Sequence, residues 1–197
     1  SNFSSFDIKI NIPSKKKIIK RIKLPMIGMH NIRNATAAIS LAFTIGLPEK
    51  CIKTGIYNFR GVQRRFSHLF DHNNISFYDD YAHHPTEISS VLSGVEKVYK
   101  NKEIVCIFQP HRISRVISLK KEFSKCFKKA DIVLLCPIYA ANEKLRLNFT
   151  YHSFAKLIIK NSNVKLIEID DEIQLRNFIK QNVFGEKIYI GMGAGSI

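Results

Sequence analysis

EIVCIFQPHRISR, residues 103–115, holds the reading that decides the fold. Ile104 to Phe108 is uniformly apolar, as expected of a strand covered on both faces in a parallel sheet. Gln109 to Arg115 then turns polar and opens a helix expected over about 115–129. The unit repeats outward in both directions. Strands are predicted near 67–71, 75–79, 131–136, 164–168 and 187–191, and helices near 85–99, 150–160 and 171–181. The first two strands, joined by His72-Asn73-Asn74, read as a hairpin. The fold class that follows is α/β: a Rossmann-like, doubly wound, mostly parallel sheet over residues 67–197.

In such sheets ligands bind beyond the carboxyl ends of the strands. Four polar clusters fall there: Asp80-Tyr81-Ala82-His83-His84, Gln109-Pro110-His111-Arg112-Ile113-Ser114-Arg115, Tyr139-Ala140-Ala141-Asn142-Glu143, and the glycine run Gly191-Met192-Gly193-Ala194-Gly195-Ser196. Adjacent ligands on a strand end point opposite ways, so the first cluster suits ribose hydroxyls or an anionic substrate better than a metal ion. One of Asp79 and Asp80 is expected to be structural, with capping of the helix near Pro85 as the alternative to a ligand role. Arg112 and Arg115, three apart across a helix start, suit a carboxylate or phosphate. The glycine run is a weak phosphate-loop signal, since it lacks the full spacing.

Residues 6–12 and 18–24 read as two antiparallel strands, followed by helices at about 32–45 and 48–57. Asn31 and Asn34 share a helical face, where their amides can read an adenine edge or hold phosphate oxygens; N-capping by Asn31 is an equal alternative. Arg64 and Arg65 lie in a stretch, 59–66, that breaks the pattern and reads as a hinge, so that they would face a nucleotide bound between two domains.

The net charge of +15 raises a nucleic-acid-binding module as a competing class. Residues 1–66 carry 13 Lys/Arg against 2 Asp/Glu, whereas residues 67–197 carry 18 against 14, and the excess is concentrated in Lys15–Lys17, Lys20, Arg21 and Lys23 on an apparent hairpin. It reads as a solvated face that attracts small anions rather than as a nucleic-acid surface. The four cysteines read as buried thiols of a reducing cytoplasm rather than zinc ligands or disulfides. No apolar run is long enough for membrane insertion, and no signal-peptide pattern opens the chain. The start on Ser1, in strand-like sequence, has the look of a portion of a longer protein.

Taken in order, Gly28-Met29-His30-Asn31-x-x-Asn34, Gly61-Val62-x-Arg64-Arg65-Phe66, Asp79-Asp80-Tyr81-Ala82-His83-His84-Pro85-Thr86-Glu87, Phe108-Gln109-Pro110-His111-Arg112-x-Ser114-Arg115, Tyr139-Ala140-Ala141-x-Glu143 and Gly193-Ala194-Gly195-Ser196 resemble the Mur ligase family, in particular its alanine-adding member. The resemblance runs from about Gly28 onward. It implies that residues 1–58 end a central ATPase domain, that 59–66 are a hinge, and that 67–197 are the C-terminal ligase domain. It further implies an ATP-dependent, Mg²⁺-assisted ligase of the cytoplasm that joins L-alanine to UDP-N-acetylmuramate through an acyl phosphate; a related muropeptide-recycling ligase and a non-catalytic remnant are the alternatives. By this likeness His30, Asn31, Asn34, Arg65 and Asp80 contact ATP. Tyr81, His83, His111, Arg112 and Arg115 line the face for the muramoyl carboxylate and the amino acid, the last four of them catalytic. No metal ligand is assigned. The family's Gly-x-x-x-x-Gly-Lys-[Ser/Thr] loop does not occur in the sequence, so Mg²⁺ ligands and phosphate activation are expected from N-terminal and central domains that these residues do not include.

Overall fold

The computed structural model describes residues 3–12, 15–143 and 150–195, with the backbone alone at Lys15. The chain divides into two compact units, Ser1–Val62 and Gln63–Ile197.

In the first unit, β1 (Ser4–Ile12) and β2 (Lys15–Leu24) pair antiparallel. The register shifts between Phe6 and Ile8. Opposite that bulge Arg21 takes φ 54°, and its N–H donates to Asp7 Oδ1 at 2.7 Å. The expected turn residues Pro13 and Ser14 lie outside the described residues. Helices α1 (Met29–Thr44) and α2 (Glu49–Asn58) cover one face of the pair, where Ile8, Ile10, Ile19, Ile22 and Leu24 meet Ala35, Ile39 and Ile52. Lys9, Lys16, Lys20 and Lys23 alternate with those residues and are exposed, as period-two strand geometry requires.

In the second unit, six strands run in the order β3-β4-β8-β5-β6-β7: β3 (Ser67–His72), β4 (Ile75–Asp80), β5 (Glu103–Phe108), β6 (Ile132–Leu135), β7 (Lys165–Glu168) and β8 (Lys187–Met192). Only the β3–β4 pairing among these is antiparallel. Its two-residue turn places Asn73 and Asn74 at φ 48° and 63°, a backbone that asparagine tolerates and that matches strand twist. Alternation along the central strands builds two cores. Ile104, Cys106, Phe108, Val133, Leu135, Ile188 and Ile190 face α3 (Pro85–Val98), α4 (Ile113–Ser118), α5 (Lys120–Phe123) and α6 (Tyr151–Ser162). Val105, Ile107, Leu134 and Tyr189 face the opposite way, toward Leu175, Phe178 and Ile179 of α7 (Glu172–Gln181).

The helix expected over 115–129 is broken into α4, α5 and a run of turns. Side-chain bonds to α6 compete with its ladder: Ser162 Oγ donates to the Ser124 carbonyl at 2.7 Å and accepts the Phe127 N–H at 3.3 Å. Phe123 and Phe127 still point into the core. Of the cysteines, Cys106, Cys126 and Cys136 are buried, but Cys51 is exposed on α2, which corrects the reading of four buried thiols. Among the described residues no helix is long and apolar enough to cross a membrane.

Candidate ligand-binding site at the carboxyl edge of the sheet

The pairing fixes a common level. Asp80 lies opposite Met192, Met192 opposite Phe108, and Phe108 opposite Leu135, so four neighbouring parallel strands end together. The polar clusters read from the sequence all leave from that line.

At the β4 exit, residues 64–66 cross the strand end and are fastened to it. Asp80 is 2% exposed, and its carboxylate brackets the crossing: Oδ2 accepts the Phe66 N–H and Oδ1 the Ala82 N–H, both at 2.7 Å. Burial raises its pKa above the ordinary carboxylate value, against the lowering effect of those two bonds. Asp79, on the alternate side, pairs with Arg64 at 2.9 Å and keeps 23% of its side chain exposed. Neither aspartate caps the following helix. His84 does, its Nδ1 accepting from Thr86 N–H at 3.3 Å, while Glu87 Oε2 accepts the N–H groups of His83 and His84.

At the β5 and β6 exits, backbone bonds zip two loops together. Tyr139 N–H donates to the Pro110 carbonyl at 2.9 Å and Arg112 N–H to the Tyr139 carbonyl at 3.1 Å, framing a parallel bridge between His111 and Tyr139. Their rings stack, centroids 5.3 Å apart and 10° from parallel. His83 lies 6.3 Å from His111, and Tyr81 5.1 Å from His83, so a row of rings crosses the ends of β4, β5 and β6. Arg115 Nη1 donates to the His111 carbonyl at 3.1 Å. Arg112 is exposed at φ 71°, ψ 124°, backbone that a residue bearing a Cβ adopts only under strain. Helix α4 has six residues, and Glu143 already accepts from the N–H and hydroxyl of Ser114 at 2.8 and 2.7 Å. The anion attraction expected of a helix start therefore rests on the guanidinium groups instead.

Burial, reinforced by Arg115, His83 and Arg112, lowers the His111 pKa from 6.5; Glu143 opposes the shift. The sign follows from linkage: a histidine held neutral contributes stability that is fully present above its unfolded value and lost as pH falls through the folded one. In an NMR titration His111 is expected to charge below pH 6.5, and a midpoint at or above that value would contradict this account.

Some expected residues sit differently from their assigned roles. Asp80, a residue the likeness assigns to ATP, has an enclosed carboxylate that holds the backbone, and Asp79 is the more open of the pair. Asn31 is buried and does not cap α1. Gly28 stands at that position, at φ 98°, and Asn31 Nδ2 donates to the Ile27 carbonyl at 2.8 Å. Asn34 is exposed, and the ring of His30 folds back over Gly28, where a Cβ would lie 2.8 Å from it. Arg65 reaches Glu87 at 3.9 Å with 44% of its side chain exposed. Tyr81, His83, His111, Arg112 and Arg115 gather on one edge of the second unit. Arg64 and Tyr139 join them, Arg64 turned onto Asp79 and Gly193 and Tyr139 stacked on His111. Gly195 lies where a Cβ would collide with the Gln109 amide, while Ser196 of the same run falls outside the described residues. Among the described residues no group of three or more His, Cys, Asp or Glu side chains could hold a metal ion.

The second unit is thus an open α/β sheet whose carboxyl edge carries arginines, histidines and a glycine turn. The Mur ligase, glutamate ligase domain family matches residues 64–192, and the chain belongs to the Mur ligase family. It is 59% identical over 196 residues to the UDP-N-acetylmuramate–L-alanine ligase of Pelagibacter ubique, covering 99% of this chain and 42% of that protein. The enzyme of the same name from Rickettsia rickettsii is 39% identical over 98% of this chain and 41% of its own length. Among solved structures, the UDP-N-acetylmuramate-alanine ligase MurC of Thermotoga maritima superposes with a TM-score of 0.71 at 28% identity, over 99% of this chain and 43% of that one. The chain thus spans about two fifths of the length of the curated relatives it matches.

Proposed function

We propose that this chain is the amino-acid-binding portion of an ATP-dependent ligase that joins L-alanine to UDP-N-acetylmuramate in peptidoglycan synthesis. The observation that carries the reading is the convergence of Arg112, Arg115, His111, His83 and Tyr81 on one strand-end line, in a chain 59% identical to a ligase of that name. ATP phosphorylates the muramoyl carboxylate and leaves as ADP. The alanine amine attacks the acyl carbon, and the tetrahedral intermediate expels phosphate while the amine loses a proton. In this reading Arg112 and Arg115 hold the amino-acid carboxylate and stabilise charge developing on the acyl oxygen. Neutral His111 is able to accept the proton, and His83 and Tyr81 complete the wall. Asn34 and Arg65 are the open candidates for nucleotide contact. Mg²⁺ would offset phosphate charge, with its ligands expected mainly from the rest of a full-length ligase. Nucleotide substrates place such an enzyme in the cytoplasm.

A chimera tests this. The 197 residues replace the matching 42% of the Pelagibacter ubique relative. Phosphate release from ATP with UDP-N-acetylmuramate is expected to require L-alanine in the chimera. The 197-residue chain alone, lacking a phosphate-cradling motif, is expected to release none. Alanine-independent turnover by the chimera, or turnover by the chain alone, would defeat the reading.

A further inference from the structure

We infer that Arg64 is a positioning residue that sets the Tyr81 ring and ties the β8 exit to the β4 exit, rather than an arginine that grips a ligand itself. Two of its three nitrogens are engaged within the protein. Nε donates to Asp79 Oδ2 at 2.9 Å, and Nη2 donates to the Gly193 carbonyl at 2.9 Å and reaches Asp79 Oδ1 at 3.5 Å. The guanidinium carbon stands 5.3 Å from the centre of the Tyr81 ring, within cation–π range. The Arg64 carbonyl accepts the Tyr81 N–H at 2.7 Å, so backbone and side chain grip the same tyrosine from two sides.

Arg64 itself takes φ 58°, a backbone uncommon for an arginine, and this lets its carbonyl and its guanidinium turn to one side. Three segments distant in sequence meet on it: the crossing at 64–66, the β4 exit at 79–81 and the β8 exit at 193. Lysine cannot make the forked contact with Asp79 and reach Gly193 together, since it is a point charge. Arg65, one residue on, has the opposite character, with 44% of its side chain exposed. Two adjacent arginines thus divide the work: one is spent on geometry and the other is open to solvent.

This rests on the proposed reading of Tyr81 as part of the substrate wall, and two measurements keep them separable. In the 197-residue chain, Tyr81 ring signals in NMR, assigned by loss in Tyr81→Phe, are expected to shift in Arg64→Gln and Arg64→Lys while signals of the Phe108 core stay in place. In the chimera, Arg64→Gln is expected to raise KM for L-alanine about tenfold with a smaller change in kcat. That penalty should fall to within about twofold when Tyr81→Leu is already present, because coupled residues are not additive. Unmoved Tyr81 signals, or an Arg64→Gln penalty of equal size with and without Tyr81, would overturn the inference. A chimera inactive before Arg64 is changed counts against the proposed function, and the ring signals then decide the positioning role.

Discussion

Arg112→Gly is expected to yield a more stable protein with a crippled site. Glycine adopts φ 71°, ψ 124° without the steric cost that a Cβ imposes there, a cost of about 1–3 kcal/mol. Part of that gain is offset by the greater freedom of glycine in the unfolded chain, about 0.5–1 kcal/mol. A net rise of about 1 kcal/mol in unfolding free energy follows, read from urea curves on the 197-residue chain. The same change removes an exposed guanidinium at the centre of the strand-end line. In the chimera kcat/KM for L-alanine is expected to fall by about 100-fold or more, the scale of losing one preorganised donor to developing charge. Loss of stability together with activity would show that Arg112 is there for the fold. A rise in stability with unchanged turnover would remove it from the chemistry.

Asp80→Ala is expected to be the most damaging single change to the second unit. It leaves the Phe66 and Ala82 N–H groups without their acceptor, at about 1–3 kcal/mol each when enclosed, so a loss of about 2–6 kcal/mol is expected in urea unfolding. Asp80→Asn keeps one acceptor and should lose less. The pair also gives a pH test. Because burial raises the Asp80 pKa in the folded state, its titration contributes stability that is fully present below the unfolded value of about 3.9 and is lost as pH rises through the folded one. The advantage of the native chain over Asp80→Asn should therefore shrink as pH climbs from about 3 toward neutrality. A gap that widens over this range would show that the two N–H bonds outweigh desolvation.

The course of strands and helices was legible where one physical rule dominated. Ile104–Phe108 is apolar at every position because both faces of β5 are covered, and the polar residues begin where that cover ends. Asn73-Asn74 announces the hairpin because few residues tolerate two successive positive φ values. The order of strands carries no such local mark: nothing in residues 187–192 says that they lie between β4 and β5. The break after α4 depends on Ser162, 38 residues from Ser124, and no helical periodicity reports it. Within the site, residue types were legible and their division of labour was not. Asp79 and Asp80 differ only in which face of the strand each takes, and Asp80 becomes a bracket because Phe66 passes over it. Arg64 and Arg65 are chemically identical until Asp79 and Gly193 are folded against the first of them.

The position of β8 has a consequence in time. Among the described strands it is the last to be synthesised, yet it pairs with both β4 and β5 and leads directly into the Gly193 carbonyl that Arg64 grips. A nascent chain that has emerged only as far as α7 holds β3–β4 and β5–β6–β7 as two sheet fragments with bare facing edges, which invite pairing with the wrong partner until the seam is filled. Closing it requires ordering a loop of more than a hundred residues between β4 and β8, the kind of non-local contact that forms slowly. Assembly of the ligand face is thereby tied to completion of translation through β8. A ribosome that stalls before residue 187 leaves the residues that follow β4 and those that follow β5 and β6 without the strand that sets them in line.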